Sequence, residues 1–315
     1  MHRYVARRSA LALGQCFFAL VVVFALDSLV PGDTADVLQG DHGNPQQAAA
    51  LRDRLGLDEP AWQRFWHWLG SLLAGDPGRS LVTGLPVGDE IGRRLAVSVV
   101  LALPALALVA LLAPALGVVA GLREGTRLDR ALSAAAVLLH SVPEFVLAML
   151  LIASLSVAAG LLPATAAGLD GAGLLAQPSV LVLPVLVLTA RQLCDLARQI
   201  RVGVAEQRGS APAEHLRLLG LPERRVVLRH VLPNALAPAS QQFARCVEGL
   251  LGGALVVESL FSVQGVGTGF IQAVQNRDTP QVQTYALLFA GTVVVVNLAG
   301  DLVSHRLAPS KEASA

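Results

Sequence analysis

A single lysine, Lys311, stands in 315 residues, and that scarcity excludes one activity at once. A nucleotide-hydrolysing P-loop needs G-x4-G-K-[ST], because its lysine reaches the terminal phosphates. Lys311 is followed by Glu312 and has no glycine pattern ahead of it, so any ATP-driven step belongs to another polypeptide. Charge of either sign is sparse: Asp, Glu, Lys and Arg supply 15% of the chain and the net charge is +1, which leaves no basic surface for nucleic acid. Cysteine is limited to Cys16, Cys194 and Cys246, each in or beside an apolar stretch and none at metal-ligand spacing, so they read as packing residues. Neither G-x-S-x-G nor H-E-x-x-H occurs, and no catalytic, metal or cofactor site is expected.

What the chain has instead is apolar length. Hydrophobic residues make up 54% and mean hydropathy is +0.58, values that belong in a bilayer. A span needs about 20 mostly apolar residues at 1.5 Å of rise each. Six stretches qualify, roughly 9–30, 95–122, 131–160, 174–197, 238–262 and 283–305. The second carries no charge from Leu95 to Leu122, and its Pro104 and Pro114 predict kinks of the kind membrane helices tolerate. The opening Arg3, Arg7 and Arg8 with the apolar run to Leu26 resemble a secretory signal, but no small-x-small cleavage site follows, so a retained first span is expected. The expected fold is an all-α membrane protein of six transmembrane helices.

Arginine bias in short loops sets the orientation. Arg3, Arg7 and Arg8, then Arg123, Arg127 and Arg130, then the run from Arg198 to Arg229 place both termini and two loops in the cytoplasm, with Arg306 and Lys311 at the far end. Arg93 and Arg94 resist the rule, since they abut the outer end of span two. The predicted organisation is a tail and first helix over 1–30, an extracytoplasmic segment over 31–93, a five-helix core over 94–305 that includes a cytoplasmic loop at 198–237, and a tail over 306–315. Within 31–93, Trp62, Phe65, Trp66, Trp68 and Leu69 recur at helical spacing and predict an amphipathic helix lying at the membrane surface, either as a packing helix that covers the bundle or as a docking face for a soluble partner.

The 198–237 loop is far longer than the 2–8 residues usual between bundled helices. Within it, Glu214, Gly220, His230, Leu232 and Pro233 read E-x5-G-x9-H-x-L-P. Pro212 can open a short helix over 212–219, Gly220 can end it in a left-handed cap, and a second helix would run from near Pro222 to a stop near Pro233. Such a helix-turn-helix is shaped to enter a groove on a partner.

In that loop the sequence resembles the inner-membrane permeases of the dipeptide and oligopeptide (and nickel) ABC importers. Their signature is E-A-A-x3-G-x9-I-x-L-P. The resemblance extends to Tyr4-Val5-Ala6-Arg7-Arg8, Pro31-Gly32-Asp33, Gly75-Asp76-Pro77-Gly78, Ser141-Val142-Pro143, Asn234-Ala235-Leu236, Gly249 to Ala254 with Glu258, and Gly265-Val266-Gly267 followed by Arg277-Asp278. It implies a type I ABC importer bundle in the inner membrane, with a second homologous permease, two ATPase subunits and a periplasmic or lipid-anchored substrate-binding protein as partners. It also implies that Glu214, Arg217, Gly220, Arg224, Arg225, His230, Leu232 and Pro233 meet an ATPase. Ala211-Pro212-Ala213 departs from the family pattern, as does Val263-Gln264 where Trp-Pro is usual.

Ionisable residues inside spans are candidates for a transport path. His140 and Glu144 are four apart and would share a face of span three; Arg245 and Glu248 are three apart on span five and would pair likewise. These four could line a path for a peptide with charged ends, or simply neutralise one another within the bundle, while Arg191 and Asp195 would snorkel near the end of span four. Gly249, Gly252 and Gly253 could permit close helix approach. A proton-coupled secondary carrier is the rival reading, with nickel chelates or another small solute as alternative cargo, but a carrier has no need of the long basic loop. Cysteine-accessibility labelling is expected to find 36–90 outside and 205–230 inside, and the reverse pattern would overturn the topology.

Overall fold

The computed structural model describes residues 2–29, 32–39 and 45–307. Val30-Pro31, Asp41 and the tail from residue 308, with Lys311, lie outside the described residues. Regular structure among the described residues is helical: α1 (His2–Leu29), α2 (Thr34–Gln39), α3 (Pro45–Leu55), α4 (Ala61–Leu73), α5 (Val87–Leu122), α6 (Arg127–Ser141), α7 (Glu144–Leu151), α8 (Gly171–Ala176), α9 (Pro178–Arg208), α10 (Ala211–Leu218), α11 (Glu223–Val226), α12 (Leu232–Leu260), α13 (Val266–Gln275) and α14 (Thr279–Leu307). Two π-helical stretches, Ile152–Ala158 and Val227–Val231, follow α7 and α11. A hydrocarbon layer offers no water to backbone groups, so a chain this apolar satisfies them within helices.

Among the described residues, four helices are long and apolar enough to cross a membrane: α1 over Ala10–Leu29, α5, α9, and α14 over Thr279–Asp301. The bent pair of α6 with α7 and its π stretch makes a fifth if counted as one span. At 29 residues α12 is long enough, about 43 Å, but Arg245, Glu248 and Glu258 dilute its apolar content. Span three is not the continuous helix expected over 131–160. Pro143 lacks an N–H and forces Val142 to ψ 122°, so the chain turns by 99° before restarting at Glu144.

The chain forms two compact units. The first comprises residues up to Ser98 together with Gln264–Val294. Leu20 and Phe24 of α1 pack against Phe65 and Trp68 of α4 and Ala286 of α14, while Trp62 and Trp66 remain on the outer face of α4. One side of the predicted amphipathic helix is therefore a packing surface. A second cluster joins Val87 and Ile91 of α5 to Val266 and Ala273 of α13 and to Val282 and Tyr285 of α14. Buried Asp278 ties the ends of this unit together, accepting the Ser80 hydroxyl at 2.5 Å and the Leu81 N–H at 3.2 Å across nearly 200 residues of sequence. Burial pushes its carboxyl above the ordinary value, against the pull of those donors. Arg94, at the outer end expected for span two, has side-chain partners in this unit. Helix α5 starts at Val87, so Arg94 lies one turn beyond Glu90, whose Oε1 accepts its Nε at 3.2 Å, and it also donates to Gln272 at 2.7 Å.

The second unit holds Val99–Val263 and the chain from Val295 onward. Helix α5 buries a narrow stripe of Leu101, Ala105, Val109 and Ala113, one residue every turn. Gly117 and Gly121 continue it, and there the backbones touch. A Cβ at Gly117 would sit 2.6 Å from the Ala197 carbonyl of α9, and one at Gly121 would sit 2.7 Å from the Arg201 carbonyl. This small-x-x-x-small seam lets two helices pack without a hydrophobic drive. Asp129, which begins α6, locks onto the same stretch of α9: its two oxygens accept the Arg201 guanidinium at 3.0 and 2.8 Å. Such forked pairs fix geometry as well as energy. Of the three glycines expected on α12, Gly249 and Gly253 do admit neighbours, the Gln192 side chain and the Glu144 carboxylate, whereas Gly252 faces open space.

Replacing Gly117 by Ala is therefore expected to lower stability by about 1–3 kcal/mol through overpacking against fixed backbone. Gly252→Ala is expected to be neutral or slightly stabilising through helix propensity. Thermal unfolding of both variants in detergent is the check.

Candidate functional site

The connection between α9 and α12 is the most organised polar feature of the second unit. Ser210 precedes α10, Pro212 occupies its first turn, and the helix ends at Leu218. Gly220 then takes φ +79°, a left-handed conformation that costs other residues about 1–2 kcal/mol. Its N–H donates to the Arg217 carbonyl at 2.9 Å, and the Leu221 N–H reaches Leu216 at 3.2 Å. The expected cap is present. The second half differs from expectation, because the helix does not stop near Pro233. Helix α11 passes through the π stretch into α12, with the Leu232 N–H bonded to the Val227 carbonyl five residues back. That wider turn shifts the hydrogen-bond register just before Pro233, so the proline sits in the first turn of α12, where a missing N–H is tolerated.

One carboxylate holds the turn closed. Glu223 accepts Arg217 Nε at 2.7 Å and Arg208 Nε at 3.3 Å. Arg217 also donates to the Arg208 carbonyl, and Arg208 to the Leu122 carbonyl at the end of α5. The Arg217 hydrogen bond, reinforced by Arg208, holds the Glu223 carboxyl below its ordinary value. The underside is apolar: Ala213, Val226 and Val231 are buried in one cluster with Leu196, Ile200 and Val204 of α9 and Ala235, Ala239 and Cys246 of α12. The outer side presents Glu214, Leu218 (80% exposed) and Leu219 (63% exposed). Of the residues singled out from sequence, Glu214, Gly220, Arg224, Arg225, His230 and Pro233 are exposed, while Arg217 and Leu232 are half-buried. Ala213, Arg208, Glu223 and the Leu218-Leu219 pair were not anticipated. The E-x-x-x-x-x-G spacing points at the cap and says nothing of a carboxylate three residues beyond it.

The four intramembrane candidates do not pair as expected. The break at Pro143 puts His140 and Glu144 on different helices. His140 Nδ1 instead lies 3.1 Å from Asp195 Oδ1 on α9, and Glu144 faces Gly253 of α12 within electrostatic reach of Arg191. Arg245 and Glu248 turn from each other: Arg245 donates to Gln242 at 2.9 and 2.7 Å, and Glu248 accepts Asn297 of α14 at 2.5 Å. The seat of each group lies on another element or another turn, which spacing alone does not encode.

Residues 113–312 match the binding-protein-dependent transport system inner membrane component, and residues 1–87 match the N-terminal region of binding-protein-dependent transport system membrane components. The chain belongs to this family. The permease is 31% identical over 310 residues, 98% of its own length and 99% of theirs, to the glutathione transport system permease protein GsiC of Escherichia coli O6:H1, of Escherichia coli K12 and of Shigella dysenteriae serotype 1. It is accordingly a multi-pass inner-membrane component of a binding-protein-dependent ABC importer, a transport permease and not an enzyme. Systems of this family work with a substrate-binding protein and ATPase partners. Both halves of the α9–α12 connection fall within the matched region.

Because the Glu223 carboxyl is depressed in the folded permease, its contribution is present above the ordinary glutamate range and is lost as pH falls through the lowered value. Hydrogen-exchange protection over residues 209–226, taken relative to the intrinsic exchange rate at each pH, should therefore stay high at neutral pH and fall as acid carries the solution through and below the ordinary glutamate range. In Glu223→Gln that protection should be low already at pH 7 and should not change with acid.

Proposed function

We propose that this permease forms half of the translocation path of a small-peptide importer, and that the α9–α12 connection receives the stroke of a separate ATPase. In this reading six helices cross the inner membrane, α12 and the bent α6–α7 pair included, with both termini in the cytoplasm. A second homologous permease completes the path, two ATPase subunits dock below, and a binding protein delivers cargo from outside. The observation that carries the reading is the two-sided character of the connection. Its inner face shares one buried cluster with α9 and α12, so a push on it moves those helices as a body. Its outer face offers an apolar knob, Leu218-Leu219, beside Glu214, the form that a groove on a soluble partner accepts.

The relatives are named for glutathione, itself a tripeptide, which supports peptide-sized cargo with charged ends. His140, Glu144, Arg245 and Glu248 contribute to the polar lining in this reading, each through a different neighbour. Arg224, Arg225 and His230, exposed along α11 and the π stretch, supply the cationic flank of the ATPase contact.

The test is a gentle solubilisation followed by affinity capture of the permease and of Gly220→Val. Wild type should bring down a P-loop ATPase and a second permease. Gly220→Val should insert normally and lose peptide uptake, because valine cannot hold φ +79° without distorting the turn. Capture of the permease alone in a transport-active form, or wild-type uptake by the variant, would sink the proposal.

A further inference from the structure

A polar cleft of about 630 Å³ lies in the second unit between α6, α9 and α12. Ligand sites commonly have this size and lie between helices of a bundle. Its walls include Asp195, Arg198, Gln199 and Glu206 of α9, His140 at the end of α6, and Gln242 of α12. In a chain with 15% charged residues, that grouping is a conspicuous concentration of polar side chains. Asp195, Gln199 and Glu206 recur at i, i+4 and i+11, which keeps them on one face of α9.

The groups differ in how far they are already satisfied. Asp195 already has the His140 ring as a neighbour, with Nδ1 at 3.1 Å from its Oδ1 but outside hydrogen-bond geometry. Arg198 reaches Asp195 only at 3.8 Å and is 62% exposed, so its guanidinium is held weakly. Glu206 is exposed and enters no ion pair among the described residues. Gln242 gives its carbonyl oxygen to Arg245, which leaves its NH2 group to donate elsewhere. One cation and one anion thus stand open to a ligand, with two carboxamides in the same cleft. Arg198 and Glu206 are eight residues apart on α9, about 12 Å along its axis. A short extended peptide, at about 3.3–3.6 Å per residue, covers an interval of this order between two charge contacts of about 3 Å each.

We propose that this cleft is a subsite for a short zwitterionic peptide, with the ligand's α-amino group at Glu206, its carboxylate at the Arg198 guanidinium, and its backbone amides met by Gln199 and Gln242. A carboxylate on a guanidinium fork and an ammonium on a carboxylate are the strong, charge-assisted forms of hydrogen bond. The cleft also lies beside the coupling turn. Glu206 precedes Arg208, whose guanidinium bonds Glu223 of that turn and the Leu122 carbonyl, so a displacement of the turn alters the position of the amino-group acceptor. This proposal rests on the permease reading and narrows it to a substrate with both end groups free.

The test is equilibrium binding of tritiated trialanine to the solubilised permease–ATPase complex stripped of its binding protein, with N-acetyl-trialanine and trialanine amide as competitors. In wild type each modification should weaken binding about tenfold. In Glu206→Gln the acetyl penalty should vanish while the amide penalty persists, and in Arg198→Gln the reverse should hold. A merely structural role for either side chain would weaken all three ligands alike. That uniform loss, or penalties unchanged by the substitutions, overturns the assignment, as does absence of trialanine binding. Uptake of trialanine by proteoliposomes carrying the wild-type complex and its binding protein separates the two readings. Uptake without the end-group pattern removes the cleft alone; no uptake removes the peptide importer and the cleft together.

Discussion

At Gly117 and Gly121 the backbone of α5 lies directly on the Ala197 and Arg201 carbonyls of α9, and the second unit is organised around that contact. Lipid tails are as apolar as leucine, so helices in a bilayer gain little by burying leucine against leucine; they gain by fitting closely. The forked Asp129–Arg201 pair sits at the same level and fastens α6 to the same strut. From there α9 continues without interruption to Arg208, which places the polar end of the helix at a defined distance from the buried seam. Everything that α9 presents further on, including the cleft face and the arginines that brace the turn, inherits its position from this approach.

Polar groups in this chain are placed in pairs drawn from distant parts of the sequence. Ser80 meets Asp278, Asp129 meets Arg201, and Glu248 meets Asn297. An ionised side chain left alone at low dielectric is costly, and removing one partner leaves the other exposed to that cost. The α9–α12 connection follows the same logic on a smaller scale, where one glutamate satisfies two arginines and a left-handed glycine lets the chain reverse between them. Rigidity in this turn has a mechanical meaning for an importer subunit. In the proposed coupling role, force delivered to its exposed leucines would enter a packed apolar cluster shared with two long helices, rather than a compliant loop.

Several features were legible in advance because their causes are local. Gly220 as a left-handed cap, the short helix opened by Pro212, and the long apolar stretches of α1, α5, α9 and α14 all depend on residue type and near-neighbour spacing. The departures from expectation have local causes too. Hydropathy alone runs span three straight through Pro143, although the residue before a proline avoids helical ψ; with the break present, His140 and Glu144 are not neighbours. Pro233 reads as a stop in sequence, although a π turn ahead of it shifts the hydrogen-bond register and lets the helix continue. Gly117 and Gly121 look unexceptional in a strongly apolar stretch, because only the presence of α9 distinguishes them from Gly252.

By itself the sequence determined that this protein lives in a membrane as a bundle of helices, that it carries no P-loop, and that a long basic connection with an E-x5-G-x9-H-x-L-P pattern sets it among the importer permeases. Those conclusions follow from hydropathy, from residue spacing and from motif order, none of which requires knowing what touches what. Tertiary structure alone decided which charges neutralise one another, which glycines are contacts, and where a polar cleft opens along α9. Each of those depends on side chains brought together from separate helices, and helix-to-helix registry is set by the shapes of both surfaces at once, which no single stretch of sequence contains.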